Sequence, residues 1–232
     1  MSGACEIQLA WRSAHEVVLV KPAGLSCEIP NDVRGVSLIE QVRAGRVAGV
    51  QPCPDAKLPH RLDRVACGYM VVALTAEAIA HHNEQIAQNA WVKWYIVRVE
   101  GDAKALVGEQ RAYIKRKGKR AELVRAGGQV ARMDVLAAQP APEHVDQSHA
   151  LIRLHTGRYH QIRVMLAGLG APLVGDAMYG GPNGQMYLEH VALRFEPYQA
   201  SAITVFDEHS TGRERIAPAM LDVLKRAISE VK

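Results

Sequence analysis

Short apolar segments separated by polar turns run along most of the chain, a pattern typical of strands mixed with a few helices. Residues 68–74, GYMVVAL, are apolar throughout and bounded by a glycine, so they predict a buried strand. Glycines at 118, 127 and 128 favour a hairpin between residues 111 and 132. Further strands are predicted at residues 16–26, 91–101, 131–138 and 149–154.

Three segments show helical periodicity. Residues 36–49 predict a helix with Ser37 as a candidate N-cap. Residues 75–90 predict a clearer helix with Thr75 as its N-cap, and residues 159–170 predict a third that glycines end. Because strands outnumber helices and many adjoin in sequence, the pattern favours an α+β domain with a mixed, largely antiparallel sheet flanked by helices.

The helix at residues 75–90 makes a specific prediction about its buried face. The adjacent His81 and His82 cannot both face one metal ion, so we expect both at the surface. The small and apolar side chains that share the predicted buried face are Ala76, Ile79, Ala80, Asn83, Ile86, Ala87 and Ala90.

Composition narrows the class of protein. The 232 residues are 48% hydrophobic and 22% charged, typical of a globular chain, and with neither repeat nor linker they predict one domain over residues 1–232. No apolar run is long enough to cross a bilayer, and the N-terminus does not resemble a secretory signal. The four scattered cysteines form no CxxC pair, which argues against a cysteine-ligated metal and predicts a reducing, cytoplasmic location.

Positive charge is concentrated in one window. Residues 111–132 hold eight Lys or Arg against the single acid Glu122, in a chain whose net charge is only +4. Such a window can bind a polyanion, or it can be a hairpin kept soluble by its lysines. Charge alone does not choose between these two interpretations.

Two polar clusters carry the candidate chemistry. In the first, LPHRLDRVACGYMVVAL, Asp63 lies between Arg61 and Arg64 at the start of a buried strand, where a carboxylate is costly unless it is paired. In the second, HTGRYHQIRVMLAGLG, Arg163 lies one turn into a helix and could hold Asp63 ionised. The alternative is that Arg163 decorates a solvent face and that the glycines only make turns.

These clusters resemble the signatures of one enzyme family. HRLDRVACG resembles the HRLDxxTSG motif of the RluA-type pseudouridine synthases, and LHTGRYHQIRVMLAGLGAPLVGDAMYG resembles their LxTGRTHQIRxHLxxxGxPxxGDxxYG signature. KWYIVRVEG and VLVKPAGLS match two of the family's strands, in the family's order. The chain departs from the family at Ala66-Cys67, where the family has Thr-Ser, and at Tyr159, where it has Thr. We expect these departures to alter substrate fit rather than chemistry.

The resemblance implies the pseudouridine synthase fold with a central active-site cleft, here without the N-terminal S4-type module of many relatives. It implies isomerisation of uridine to pseudouridine in ribosomal or transfer RNA, without a cofactor, a metal or an obligate protein partner. Asp63 would be the catalytic carboxylate, Arg163 its partner, and Tyr95 the residue that lies against the uracil and handles the carbon-5 proton. Arg61 would fill the space left by the flipped uridine. The residues expected to grip RNA in the basic window are Lys115, Arg116, Lys117, Lys119 and Arg120.

Two other classes of function stay open. One is a catalytically inactive RNA-binding domain of the same fold. The other is a nucleoside or glycoside hydrolase, which needs a second carboxylate. Asp176 is the one other acid in a motif, and GDAMYGG predicts a turn.

Four further residues of the motifs carry expectations of their own. We expect His60 to be a core or capping residue and Cys67 to be a small packing residue. Lys21 and Lys93 match family positions but could equally be ordinary exposed strand lysines.

Overall fold

The structure of the protein, a computed structural model, describes residues 6–29, 36–207 and 214–231. Two compact units make up the chain, Met1–Trp91 with Ala192–Phe206 and Val92–Val191 with Asp207–Lys232. Each unit combines antiparallel strands with helices, which confirms the predicted α+β class. The single domain over residues 1–232 stays a prediction.

The described residues contain ten strands and four α-helices. The strands are β1 (Gln8–Arg12), β2 (Glu16–Lys21), β3 (Cys67–Ala73), β4 (Val92–Glu100), β5 (Gly108–Lys117), β6 (Arg120–Val124), β7 (Gln129–Pro140), β8 (Gln147–Leu154), β9 (Leu188–Phe195) and β10 (Ile203–Phe206). The helices are α1 (Leu38–Arg43), α2 (Ala76–Ala87), α3 (Gln161–Gly168) and α4 (Pro218–Ser229). None of the helices in the described part of the chain is long and apolar enough to span a membrane.

In the first unit, β2 lies between β1 and β3 and pairs antiparallel with both. All seven residues of β3 are buried, as the run at residues 68–74 predicted. Strand β10 pairs antiparallel with the end of β9, from Phe195 to Ala192. Side chains of these strands, together with Trp91 from the segment before β4, build one apolar cluster, made of Val18, Tyr69, Val71, Trp91, Leu193 and Phe195.

Helix α2 begins as predicted but buries a different face. The Thr75 hydroxyl caps it by accepting a hydrogen bond from the Ala78 amide at 3.2 Å. Its buried residues are Ala78, His82 and Gln85, so the predicted alanine-rich face was wrong. The prediction that His82 lies at the surface was also wrong: its Nε2 is 3.3 Å from the buried carboxylate of Glu16. The buried Gln85 is hydrogen-bonded to the Glu196 carbonyl at 2.8 Å and to the Trp91 indole at 2.9 Å, and the His82 ring packs edge-on against Trp91.

The second unit is built on strands in the order β4-β8-β7-β5-β6, and every neighbouring pair is antiparallel. The β5–β6 hairpin confirms the turn predicted at Gly118, whose φ of 59° suits glycine. Helix α3 begins at Gln161, two residues later than predicted, because His160 takes a left-handed φ of 53°. In the first unit, α1 is likewise shorter than the predicted 36–49, although its Ser37 N-cap forms a full capping box with Glu40.

A buried ion pair joins the segment before α4 to strands β4 and β8 of the same unit. The Arg98 Nε donates to Glu214 at 2.8 Å, and His149 Nε2 lies 2.7 Å from the same carboxylate. Burial acts to raise the pKa of Glu214, but the hydrogen bonds from His149 and Arg98 outweigh it and leave this pKa lowered. The carboxylate is therefore ionised at neutral pH and ties this segment to β4 and β8.

Candidate active site

Asp63 lies in a tight turn immediately before β3, in the first unit. The turn closes with a hydrogen bond from the Ala66 amide to the Asp63 carbonyl at 3.1 Å. The Asp63 side chain is half-buried, whereas the flanking Leu62 and Ala66 are buried. Apolar neighbours thus fix the backbone of the turn and leave the carboxylate partly accessible.

Buried Lys21 stabilises this turn through hydrogen bonds to backbone carbonyls. Its side chain is fully buried, and its ammonium group donates to the carbonyls of Pro22, Leu25 and Ala66 at 2.9, 2.8 and 2.6 Å. A buried ammonium is costly unless its donors are satisfied, so these carbonyls must stay in place around it. The interpretation of Lys21 as an exposed strand lysine was therefore wrong, and its position in the family's lysine-proline strand has a structural reason.

Two further contacts secure the same turn. The thiol of Cys27 donates to the Leu62 carbonyl at 3.2 Å, and its sulfur accepts from the Leu62 amide at 3.3 Å. Burial raises the pKa of the Cys27 thiol, which keeps it a neutral donor. Arg64 Nε donates to the Gly24 carbonyl at 2.9 Å while the Gly24 amide donates to the Arg64 carbonyl at 2.7 Å.

The other predicted residues of this segment separate into core and surface. His60 is half-buried, its Nε2 accepts from the Val71 amide at 3.0 Å, and its ring packs edge-on against Trp91, as expected of a core or capping residue. Cys67 is buried, as a packing residue should be. The side chain of Arg61 is 67% exposed and makes one long contact, 3.4 Å, to an accessible Glu28. Such an exposed pair holds an arginine only weakly.

Tyr95 lies on β4 in the second unit, opposite Ile152 of β8. The residue is buried, and its ring stacks almost parallel on the ring of His190, with centroids 4.6 Å apart. Lys93, two residues earlier on the same strand, is half-buried rather than exposed, and burial lowers the pKa of its ammonium group. Both side chains therefore occupy restricted positions.

Arg163 is buried on α3 and forms a bidentate ion pair with Asp176. Its Nε donates to one carboxylate oxygen at 2.6 Å, and its Nη2 donates to the other at 2.8 Å. Both side chains are almost fully inaccessible, so the alternative that Arg163 decorates a solvent face was wrong. The expected pairing of Arg163 with Asp63 stays a prediction.

The GDAMYGG segment is a turn, as predicted, but the turn also presents Asp176 to Arg163. Residues Ala177–Tyr179 form one turn of 3₁₀ helix after Asp176, and the Gly181 amide closes it by donating to the Asp176 carbonyl at 2.9 Å. A Cβ at Gly181 would lie 1.9 Å from the Leu173 carbonyl oxygen, so only glycine fits. The sequence pattern did not indicate this role of Asp176, and the glycines flanking it were the available signal.

Tyr179 extends the cluster around Arg163. The Arg163 guanidinium lies 5.1 Å from the centre of the Tyr179 ring, and His160 Nδ1 lies 2.9 Å from the Tyr179 hydroxyl. That hydroxyl also accepts from the amide of Ala121 on β6 at 2.8 Å. The start of α3, the GDAMYGG turn and the basic hairpin thus meet at one tyrosine.

The predicted RNA-gripping residues all lie on the β5–β6 hairpin and are all exposed. Two of them also make contacts with the protein. The Arg116 guanidinium lies 4.4 Å from the centre of the Tyr159 ring, and Arg120 lies 5.5 Å from that of Tyr179 and donates to the Met178 carbonyl. These contacts dock the hairpin on the rest of the second unit.

Residues 6–29, 36–207 and 214–231 contain no evident set of metal ligands. No group of three or more His, Cys, Asp or Glu there is arranged to hold an ion. Cys27, Cys53 and Cys67 are thiols, whereas Cys5 lies outside the described residues. The side chains of the two motif clusters suit acid–base and nucleophilic chemistry.

Comparison with known proteins identifies the family. Residues 15–168 match the family model described as RNA pseudouridylate synthase. The chain is 32% identical over 178 residues to the ribosomal large subunit pseudouridine synthase D of Pseudomonas aeruginosa, covering 76% of this chain and 54% of that relative. It is 26% identical over 192 residues to the dual-specificity RNA pseudouridine synthase RluA of Escherichia coli O157:H7, covering 81% and 84%.

A solved structure gives the same answer for the fold. The human RNA pseudouridylate synthase domain containing 1 superposes with a TM-score of 0.73 at 20% identity, over 97% of this chain and 96% of the human one. The family model and the two relatives confirm the resemblance to RluA-type enzymes stated from the motifs, and the superposition confirms the fold class. The matched range contains Asp63, Tyr95 and Arg163, and the chain belongs to the RNA pseudouridylate synthase family.

Proposed function

We propose that the protein isomerises uridine to pseudouridine in ribosomal or transfer RNA, with Asp63 as the catalytic carboxylate. The observation that carries the proposal is the family match over residues 15–168, which includes every motif residue assigned to catalysis. The chain spans about half of the ribosomal relative named above, so the activity and the RNA target are proposed on this similarity. That relative's name favours ribosomal RNA as the first substrate to test.

The reaction breaks the bond between C1′ of the ribose and N1 of uracil and forms a bond from C1′ to C5. The carbon-5 proton is lost and N1 gains one, so atoms and charge balance without an external reactant. A carboxylate can assist in two ways, by attacking C1′ or by removing a proton from C2′. The turn held by Lys21 and Cys27 supports either role, because it keeps the Asp63 backbone fixed while its side chain stays partly accessible.

Tyr95 and Arg163 complete the proposed machinery. Stacking on His190 restricts the Tyr95 ring, which would lie against the flipped uracil and handle the carbon-5 proton through its hydroxyl. The ion pair with Asp176 fixes the guanidinium of Arg163, which we expect to pair with Asp63. Arg61 is exposed and only weakly held, as suits a side chain that enters the space left by a flipped nucleotide.

The basic hairpin is proposed as the surface that grips the RNA backbone. Its charges are Lys115, Arg116, Lys117, Lys119 and Arg120, and all five side chains point into solvent over at least part of their length. A docked strand pair with exposed cations presents them at fixed positions, as a phosphate-binding surface requires.

We expect Asp63→Asn to fold normally, bind RNA and form no measurable pseudouridine, because the amide can neither attack the sugar nor remove its proton. Pseudouridine is quantified by chromatography of nucleosides after digestion of the RNA, alongside thermal unfolding and RNA affinity. Asp55→Asn, an exposed aspartate in the preceding loop, is the matched control and should behave as wild type. Turnover close to wild type in Asp63→Asn would remove Asp63 from this role.

Tyr95→Phe should keep RNA affinity and stability but release tritium from carbon 5 of uridine about 100- to 10,000-fold more slowly, since the ring is retained and the proton-handling hydroxyl is removed. Tyr95→Ala should in addition weaken RNA binding, because it removes the stacking surface. A tyrosine that only packs the sheet gives the reverse order, with Phe harmless and Ala destabilising. Normal turnover in Tyr95→Phe would therefore refute the assignment.

Replacing Lys115, Lys117 and Lys119 together by Gln should weaken binding to all RNAs with little change in maximal turnover. The slope of log affinity against log salt concentration should flatten by roughly 0.7 for each phosphate of a single strand that the variant no longer neutralises. A Lys104→Gln/Arg226→Gln variant, which neutralises exposed charges elsewhere in the second unit, is the control. An unchanged slope in the triple variant would refute phosphate binding by these lysines and favour the alternative that they only keep the hairpin soluble.

A further inference from the structure

Tyr159 occupies the position where the chain departs from the family's GRTHQIR signature, and it contacts the tip of the basic hairpin twice. Its hydroxyl donates to the carbonyl of Lys119 in the turn at 3.2 Å. The guanidinium of Arg116, at the end of β5, lies 4.4 Å from its ring centre. A threonine at this position has no ring and a shorter reach, so it could make neither contact.

The Tyr159 ring is itself held from the protein side. It stacks on the ring of His160, with centroids 3.9 Å apart and planes at 18°. His160 is in turn tied to Tyr179, whose ring lies beside the Arg163 guanidinium. A continuous series of contacts therefore runs from Arg116 at the hairpin tip to the ion pair of Arg163.

Strand β6 has attachments of its own, since Arg120 donates to the Met178 carbonyl and lies 5.5 Å from the centre of the Tyr179 ring, so Tyr159 acts on the end of β5 and the turn. The Ala121 amide is bonded to the Tyr179 hydroxyl, and Leu123 packs where Gly168 of α3 leaves room for it: a Cβ at Gly168 would lie 2.3 Å from the leucine side chain. Removal of the Tyr159 ring should therefore loosen residues 116–119 while β6 stays docked.

We propose that Tyr159 is a positioning residue for RNA binding, which docks the tip of the basic hairpin so that its phosphate-binding charges are ordered before RNA arrives. The inference rests on the proposed function of the hairpin as an RNA-gripping surface. Ordering a flexible cationic segment costs conformational entropy at each binding event, and a tip already ordered by stacking avoids that cost. Tyr159 thereby sets affinity without itself contacting a phosphate.

The first test needs no RNA. Amide hydrogen exchange of the free protein should be faster across residues 116–119 in Tyr159→Thr, which installs the family's residue, and unchanged in β7 and β8. Tyr159→Phe keeps the stack but loses the bond to the Lys119 carbonyl, so its exchange across these residues should lie between that of wild type and that of Tyr159→Thr. Tyr113→Thr, which removes an exposed tyrosine from the same strand as Arg116, is the matched control. Equal exchange in Tyr159→Thr and wild type would overturn the docking role.

The second test measures RNA binding. Tyr159→Thr should raise Kd and KM for a uridine-containing RNA about tenfold, with the salt slope and kcat retained, because the same phosphates are contacted once RNA is bound. The triple lysine variant should instead flatten the slope. Arg116→Gln should cost less affinity in the Tyr159→Thr background than in wild type. Unchanged affinity, a flattened slope or additive effects would each refute the inference.

The two tests separate this inference from the proposed function. Failure of the wild-type protein to isomerise uridine would refute the proposed function and leave the exchange and affinity measurements interpretable. Faster exchange at the tip with no change in RNA affinity would refute the positioning role while leaving isomerisation intact.

Discussion

The buried ion pair between Arg163 and Asp176 is the interaction on which the candidate site of the second unit depends. These two charges can be buried because Arg163 binds Asp176 through two short hydrogen bonds, one to each carboxylate oxygen. Removing either partner from such a pair lowers the free energy of unfolding by about 3 to 5 kcal/mol, because the remaining charge is left buried without a partner. The pair therefore fixes α3 against the GDAMYGG turn, and with them Tyr179, on which the basic hairpin is docked.

Features decided by neighbouring residues could be predicted from the sequence. The capping roles of Ser37 and Thr75, the buried run of β3 and the hairpin turn at Gly118 depend on local chemistry, and all four were confirmed. The family could be predicted as well, because its motifs are short and ordered. What placed Asp63 among the candidates was the motif, since charge patterning alone left its partner open.

Features decided by distant partners could not be predicted. His82 is buried beside Glu16 and the ring of Trp91, and Lys21 is buried among carbonyls as far along the chain as Ala66, so neither local pattern indicated the burial. Asp176 lies in a turn whose glycines were visible, but its partner Arg163 is thirteen residues earlier in the chain. A polar residue can be buried wherever the fold supplies its hydrogen bonds, and a single sequence does not show where those are.

Isomerisation of uridine within an intact RNA strand is the activity that most needs a direct test. The purified protein is incubated with RNA carrying tritium at carbon 5 of uridine, and the released tritium and the mass of the strand are followed together. A pseudouridine synthase releases tritium with no free uracil and leaves a strand whose backbone and base count are unchanged, and this is the result we predict. Free uracil with an abasic strand would indicate a hydrolase, and tight binding without tritium release would indicate an inactive RNA-binding domain; either result would contradict the proposed function.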